Sequence, residues 1–472
     1  MIDNPYDDED QSLFAAHRER CRERYAPAIW RNLDVLVQYH WDNAGVGATP
    51  ERSWQNRLVN QVLSMTFLEQ ATVRRWNRVS PTDADCQILI PFTDTFRSDY
   101  EPFVLPVLRD RERAPSDVSV FTARRALDAE DKSLFSDATV LFEEDLFTLD
   151  TYRQAKKAYQ DLSCDIEDLC RDFDLSVDDR QATKRYFKKY CLDSVLFQSV
   201  LDQTDPDVLY AVQFTSNRGY LNAVRKRRDG EMLKTLVIQH GAFRHGIHHP
   251  FIGSDHALLW GEHFNSVLDS IDTAFQPPDT KVVGNPKLQA RLAQYGRATE
   301  QSIGSPPTVL YTSTPVEHSL EAMRLFADVV NKYPNVKVIY RPHPSGEPAK
   351  YCSLRKDEFL REEQIERSQN VYSLINQSDV VVGTDTTALP EAVAFGVPVI
   401  QLLPERSGSK WAEGGICSVS TTEELDKMLS SLVTNPDERV AVLNRERPLA
   451  EQMFGDVSNA SKIIAAYVDS FI

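Results

Sequence analysis

Long apolar runs are missing from this chain. No stretch of its 472 residues reaches the about 18 uninterrupted apolar side chains that a membrane-crossing helix needs. The opening stretch "MIDNPYDDEDQSLF" is acidic and lacks the basic-then-apolar pattern of a secretory leader, so a cytoplasmic protein is expected. Docking at the inner membrane face through partners stays compatible with that. Paired-cysteine motifs are also missing. The seven cysteines (Cys21, Cys86, Cys164, Cys170, Cys191, Cys352 and Cys417) are odd in number and form no CxxC pair. This argues against a disulfide framework and against structural zinc of the usual spacing. Positive charge is in deficit, with 53 Lys and Arg against 70 Asp and Glu and a net charge of −17. Such a chain is unsuited to indiscriminate nucleic-acid binding, which needs clustered cations, and any anionic substrate must be met by a locally positive site. Tandem repeats and low-complexity tracts are absent as well. A hydrophobic content of 42% with 26% charged residues is that of an ordinary folded protein.

What is present is an alternation of strand and helix signals. Residues 1–80 are charged, with apolar residues at helical spacing, and predict a helical N-terminal appendage. From "DCQILIPF" onward, short apolar runs end in polar loops and are followed by amphipathic segments. This pattern predicts a Rossmann-like domain over 81–298, interrupted by a helical insert at 151–203. The small, polar, proline-bearing stretch "GRATEQSIGSPP" is the expected linker. The same rhythm restarts at "TVLYTSTPVEH" and predicts a second Rossmann-like domain over 306–472. The expected fold class is therefore α/β, with two Rossmann-like domains facing across a cleft.

Ligands of open α/β sheets bind where strands end, so the strand-end residues are the candidates. In "SDVVVGTDTTALPEAVAFGVPVIQL" a strand ends at Gly383, and Thr384, Asp385, Thr386 and Thr387 form the turn into a helix that carries Pro390 in its first turn. Such a turn offers N–H groups and hydroxyls to phosphate, and Glu391 could accept from ribose hydroxyls. An ordinarily capped helix would use the same residues. In "VIYRPHPSGEP", each proline pushes the residue before it toward an extended conformation, so His343 projects from a stiff loop beside Arg341. A diphosphate contact or an exposed loop would both fit. In "VIQHGAFRHGIHHPFIGSD", His240 ends an apolar strand where an imidazole could serve as a general base. Gly241, Arg244, His245, His248 and His249 follow it as a partly cationic acceptor loop, or as mere decoration of a loop. No thiol or compact ligand pair accompanies these histidines, so no metal is expected. Ser313 and Thr314, after the strand "VLYT", are further phosphate candidates.

Taken in order, "QHG" at 239–241, "SDHALLWGE" at 254–262, "VVGNP" at 282–286, "RPHP" at 341–344 and "SDVVVGTDTTALPEAVAFGVPV" at 378–399 resemble the GT-B-fold glycosyltransferase superfamily of surface and capsule polysaccharide biosynthesis. That superfamily contains the Kdo transferases and the CDP-glycerol glycerophosphotransferases. The resemblance spans about half of the chain, roughly 205–470. It implies a metal-independent, cofactor-free transferase that moves a sugar from a nucleotide-activated donor to a surface or capsular glycan, or to a lipid-linked acceptor. It would do so without nucleic acid, and peripheral association with a membrane-bound assembly complex would suit it. The resemblance further implies that His240 is the acceptor-side base, that His343 contacts the donor phosphates, and that Thr386, Thr387 and Glu391 hold phosphate and nucleotide, with Arg341 placed to add charge beside His343. Glycerophosphotransferases carry an Asp-Tyr-Ser-Ser run where this chain has "TDTTA", which favours sugar transfer over glycerophosphate transfer. The same stretch also resembles the nucleotide-sugar 2-epimerases of this fold, with Thr-Thr-Ala and a single Glu391 in place of a Ser-Gly-Gly-type turn and paired glutamates. A non-catalytic nucleotide-sugar-binding protein is the third alternative.

Overall fold

The computed structural model describes residues 86–92, 100–112, 115–127, 129–172, 175, 177–212, 220, 222–225, 233–241, 251, 254–269, 278–296, 306–313, 318–342, 365–384, 386–403 and 415–472. The expected appendage at 1–80 lies outside them. The described chain divides into two compact units that exchange segments. The C-terminal unit holds Trp260–Ser266 and Val282–Ala460, and the N-terminal unit holds the chain before Trp260 together with Val267–Lys281 and Ser461–Ile472.

The N-terminal unit is built on a seven-stranded sheet. Its strands are β1 (Ile88–Pro91), β2 (Val118–Thr122), β3 (Thr139–Phe142), β4 (Val208–Val212), β5 (Lys234–Ile238), β6 (His256–Leu259) and β7 (Asp279–Val282), arranged in the order β3-β2-β1-β4-β5-β6-β7. The pairings from β3 through β6 are parallel. β1, β2 and β4 are buried at every position, which is why they read as continuous apolar runs rather than alternating ones. Helix α1 (Glu101–Arg109) follows β1. Between β3 and β4 two long helices, α2 (Leu149–Asp172) and α3 (Val177–Thr204), pack along each other around Ile166, Leu169, Cys170, Phe187, Tyr190 and Cys191. Helix α4 (His263–Asp269) follows β6.

The C-terminal unit begins, after the crossing at Val282, with helix α5 (Pro286–Tyr295). It continues through β8 (Thr308–Thr312), α6 (His318–Val330), β9 (Lys337–Arg341), α7 (Val371–Asn376), β10 (Val380–Gly383), α8 (Ala388–Phe395), β11 (Val399–Leu402), β12 (Ser418–Val419), α9 (Thr422–Thr434) and α10 (Pro436–Phe454). Its five-stranded sheet runs β12-β11-β10-β8-β9, with every pairing parallel. Strand order therefore reverses between β8 and β10, where β9 is laid down on one side of β8 and β10 on the other. The core packs Val309, Tyr311, Phe326, Val380, Val382 and Ile400 between helices and sheet. Gly284 marks the crossing into this unit. It has φ of +85°, and a Cβ there would lie 2.8 Å from the Asp456 carbonyl oxygen and 2.9 Å from Ala460 Cβ, so the backbones meet too closely for a side chain.

The last helix, α11 (Ala460–Asp469), returns the chain to the N-terminal unit. A buried guanidinium fastens it there. Arg111 Nη1 and Nη2 donate to the two carboxylate oxygens of Asp117 at 3.0 and 2.9 Å, and Nε donates to Asp469 Oδ1 at 2.6 Å. The His256 ring lies 4.7 Å from that of Phe471, and its Nδ1 lies 3.2 Å from the Tyr467 hydroxyl. Removing one partner of a buried ion network strands the others, at a cost of about 3–5 kcal/mol. Arg111→Ala should therefore lower the thermal unfolding midpoint of the N-terminal unit clearly, with Asp469→Asn costing less. Hydrogen exchange across Ser461–Ile472 would report the release directly. Exchange as slow as in the wild type would contradict this role for Arg111.

Candidate active site

In the C-terminal sheet, β10, β8 and β9 end in one row, and β11 runs one residue beyond it. Gln401 is the register partner of Gly383, Gly383 of Thr312, and Thr312 of Arg341. The Gly383–Thr312 pair sits where strand order reverses, the place at which the loops above adjacent strands diverge and leave room for a ligand. The residues at this row are fitted closely. A Cβ on Gly383 would lie 2.7 Å from Thr312 Oγ1, 3.0 Å from the Thr312 carbonyl oxygen and 3.1 Å from Thr386 Cγ2. Thr312 is 3% exposed, and its hydroxyl has no hydrogen-bond partner among the described residues. A buried hydroxyl left unpaired costs about 1–3 kcal/mol, which makes Thr312 a candidate contact for a ligand at this row.

Sequence-based site residues fall around this row. Ser313 is buried, and its N–H donates to the Arg341 carbonyl at 3.2 Å. The Arg341 guanidinium is partly occupied, because Nη1 donates to the Glu366 carbonyl at 3.0 Å and ties down the segment after Ile365. Thr384 is buried. Thr386 Oγ1 accepts from the Ala388 N–H at 3.2 Å, so this hydroxyl caps α8 and keeps its own proton to donate. Thr387 makes no side-chain cap bond. His343, Thr314 and Asp385 lie outside the described residues.

Glu391, in the first turn of α8, is 5% exposed. Its Oε1 accepts from the Tyr372 hydroxyl at 3.1 Å, and Oε2 has no hydrogen bond among the described residues. Burial pushes this carboxyl up to about 7, against the opposing pull of the Lys287 ammonium and the Tyr372 hydrogen bond. Tyr372 is itself raised well above its ordinary value, by burial first and then by the neighbouring Glu391. Tyr372 and Lys287 were not among the sequence candidates. Nothing in "VYSLINQSD" or "GNPKLQ" singles them out, because their effect on Glu391 depends on how α7 and α5 pack in the folded unit.

In the N-terminal unit His240 follows β5 and is half-buried. Its ring centroid lies 6.2 Å from that of Tyr100 and 5.7 Å from that of Phe103, and Tyr100 in turn stacks on Phe92 at 5.4 Å. The Gln239 side-chain amide donates to the Gly241 carbonyl at 3.0 Å and shapes the turn that follows. Arg244, His245, His248 and His249 lie outside the described residues. No cluster of metal-ligating side chains occurs among the described residues, and none of the described helices is long and apolar enough to cross a membrane.

Two parallel α/β units with this strand order make a GT-B-like fold. Solved structures bear this out. A putative UDP-N-acetylglucosamine 2-epimerase from Listeria monocytogenes matches with a TM-score of 0.52 at 15% identity, covering 82% of this chain and 97% of that one. The UDP-GlcNAc 2-epimerase from Neisseria meningitidis bound to UDP-GlcNAc matches with a TM-score of 0.52 at 14% identity, covering 81% and 100%. A third UDP-N-acetylglucosamine 2-epimerase matches with a TM-score of 0.51 at 14% identity, covering 82% and 96%. No family model and no curated protein matches the chain. These neighbours correct the expectation of a glycosyltransferase that feeds a surface or capsular glycan. The chains matched over nearly their whole length are described as 2-epimerases rather than glycosyltransferases.

The unpaired Thr312 hydroxyl yields a stability test. Thr312→Val keeps the shape and removes the orphan group, so the thermal unfolding midpoint should hold or rise. A fall of several degrees would mean that the hydroxyl is already satisfied within the fold, and that no external partner is needed to explain it.

Proposed function

We propose that this protein binds a nucleotide sugar at the β8/β10 strand ends and acts on it as a nucleotide-sugar 2-epimerase. The observation that carries the binding half is the Thr312–Gly383 row, with a buried unpaired hydroxyl, a strand end stripped of its side chain, and the start of α8 just beyond. Short N–H groups at a helix start and a threonine O–H suit a diphosphate. Glu391, with Oε2 unbonded among the described residues, suits a ribose hydroxyl. Support for epimerisation over transfer comes from the solved neighbours, whose descriptions name UDP-GlcNAc 2-epimerases and, for one, bound UDP-GlcNAc. UDP-GlcNAc is accordingly the first substrate to test.

Inverting a nucleotide sugar at C2 can proceed by loss of the C2 proton as the C1–O bond to the diphosphate breaks, leaving a C1–C2 double bond, followed by return of a proton to the opposite face of C2 as the C1–O bond re-forms. That requires a proton acceptor and donor but no second substrate and no acceptor glycan. His240 is our candidate for such a group. An imidazole can both accept and donate a proton, and the Tyr100 and Phe103 rings lie beside this one. Arg341, Ser313, Thr384, Thr386 and Thr387 are assigned to the diphosphate side.

The test is 1H NMR of UDP-GlcNAc incubated with the protein in D2O and with no acceptor present. The expected result is appearance of the C2 epimer with deuterium at C2, slowed about 10²–10⁴-fold in His240→Asn. Binding of UDP-GlcNAc without epimer or deuterium, followed by product only when a glycan acceptor is added, would overturn the epimerase reading.

A further inference from the structure

We propose that Tyr372 is a positioning residue for Glu391: its hydroxyl holds one oxygen of the buried carboxyl at the first turn of α8 and leaves the other to a ligand, and so makes nucleotide binding depend on the protonation of Glu391, with Lys287 on the neighbouring α5 favouring the ionised form. The inference rests on the nucleotide-binding half of the reading above.

The geometry of the carboxyl leads to it. Seven of the eight residues of α8 are buried, Glu391 among them. A buried carboxylate needs either a counter-ion in contact or several hydrogen bonds to stay ionised. Glu391 makes neither among the described residues. Its single bond comes from Tyr372, a fully buried ring that stacks on Phe395 at 5.8 Å and 26°. The phenol cannot turn away, because burial fixes its ring on both faces, so Glu391 Oε1 is held in place and Oε2 is the oxygen left to a ligand. Helix α5 supplies the positive charge. Lys287 in its first turn acts on Glu391 through space, and one turn later the Arg291 guanidinium lies 6.0 Å from the centre of the Tyr372 ring. Arg291 Nε is itself buried and without a hydrogen bond among the described residues. The remaining elements against α8 add no charge at this point. Strands β10 and β11 carry none, and Glu446 on α10 turns its carboxylate to the Val399 and Cys417 N–H groups at 3.1 and 3.2 Å.

The chemistry then has a direction. An ionised Glu391 only accepts, which suits a ribose diol, whereas a protonated one offers a competing O–H in place of one acceptor site. Nucleotide affinity should rise with pH as the proton leaves. A hydrogen bond to a charged group is worth about 1.5–3 kcal/mol, so the ionised form should bind UDP about tenfold tighter or more. Tyr372 and Lys287 both favour the ionised form, so removing either should move the midpoint upward.

Two measurements on the full chain separate the parts. The first is 13C NMR of carboxyl-labelled glutamate without ligand, with the signal assigned by its loss in Glu391→Gln. Glu446→Gln removes the other buried carboxyl, pushed up to about 8 by burial, as a control. The expected result is a midpoint near neutrality that moves up in both Tyr372→Phe and Lys287→Met. A resonance titrating in the ordinary carboxylate range, or one unmoved in both variants, overturns the positioning role. The second is UDP affinity against pH. It is read as the difference between wild type and Glu391→Gln, because the terminal phosphate of UDP itself titrates at about 6. The difference should follow the NMR midpoint and shift with it in the two variants. UDP binding with a flat difference overturns the proton dependence alone. No UDP binding at any pH overturns the nucleotide reading as well.

Discussion

The organising constraint is the parallel pairing of β8 with β10 at the point where strand order reverses. Parallel strands spend their backbone groups on each other, so only what lies beyond the last rung is free to meet a ligand. Here the last rung pairs Gly383 with Thr312. β9 and β11 leave on opposite sides of this pair. The row from Gln401 to Arg341 therefore spans the point of reversal. The bare Gly383 and the unpaired Thr312 hydroxyl lie at that position, and the helix start of α8 follows them. A side chain on Gly383 would occupy the space that the Thr312 hydroxyl faces.

A second constraint acts at the crossings between the units. The chain passes between them several times, and its last passage is anchored by Arg111 with Asp117 and Asp469. The first helix after one crossing, α5, carries the two cations that face the Glu391–Tyr372 pair. The segment that joins the units thus also sets the charge around the buried Glu391 carboxyl. This places the control of Glu391 on an element remote from the strand ends themselves.

Much of the local structure was legible in the sequence. "VVVG" followed by Thr-rich turn and Pro390 announces a buried strand, a tight exit and a helix start, because apolar continuity, glycine and proline each restrict the backbone in a known way. The alternating rhythm likewise announces parallel α/β units. The strand order was not legible, since alternation does not say on which side of β8 the next strand is added. Tyr372 with Glu391 and Arg111 with Asp469 were not legible either. The first pair depends on the packing of α7 against α8, and the second joins residues 358 positions apart. The choice between transfer and epimerisation failed for a related reason. The short motifs encode a strand–turn–helix geometry, and that local geometry does not say which chemistry follows.

The most direct measurement of the central claim is isothermal titration calorimetry of UDP against wild type and Gly383→Ala. The added methyl would stand 2.7 Å from Thr312 Oγ1, at the strand end assigned to the diphosphate. The account predicts one UDP per chain for the wild type, and loss of at least tenfold in affinity for a Gly383→Ala protein that still melts cooperatively. UDP binding of equal strength in both would contradict it, because the ligand would then lie away from the β8/β10 strand ends.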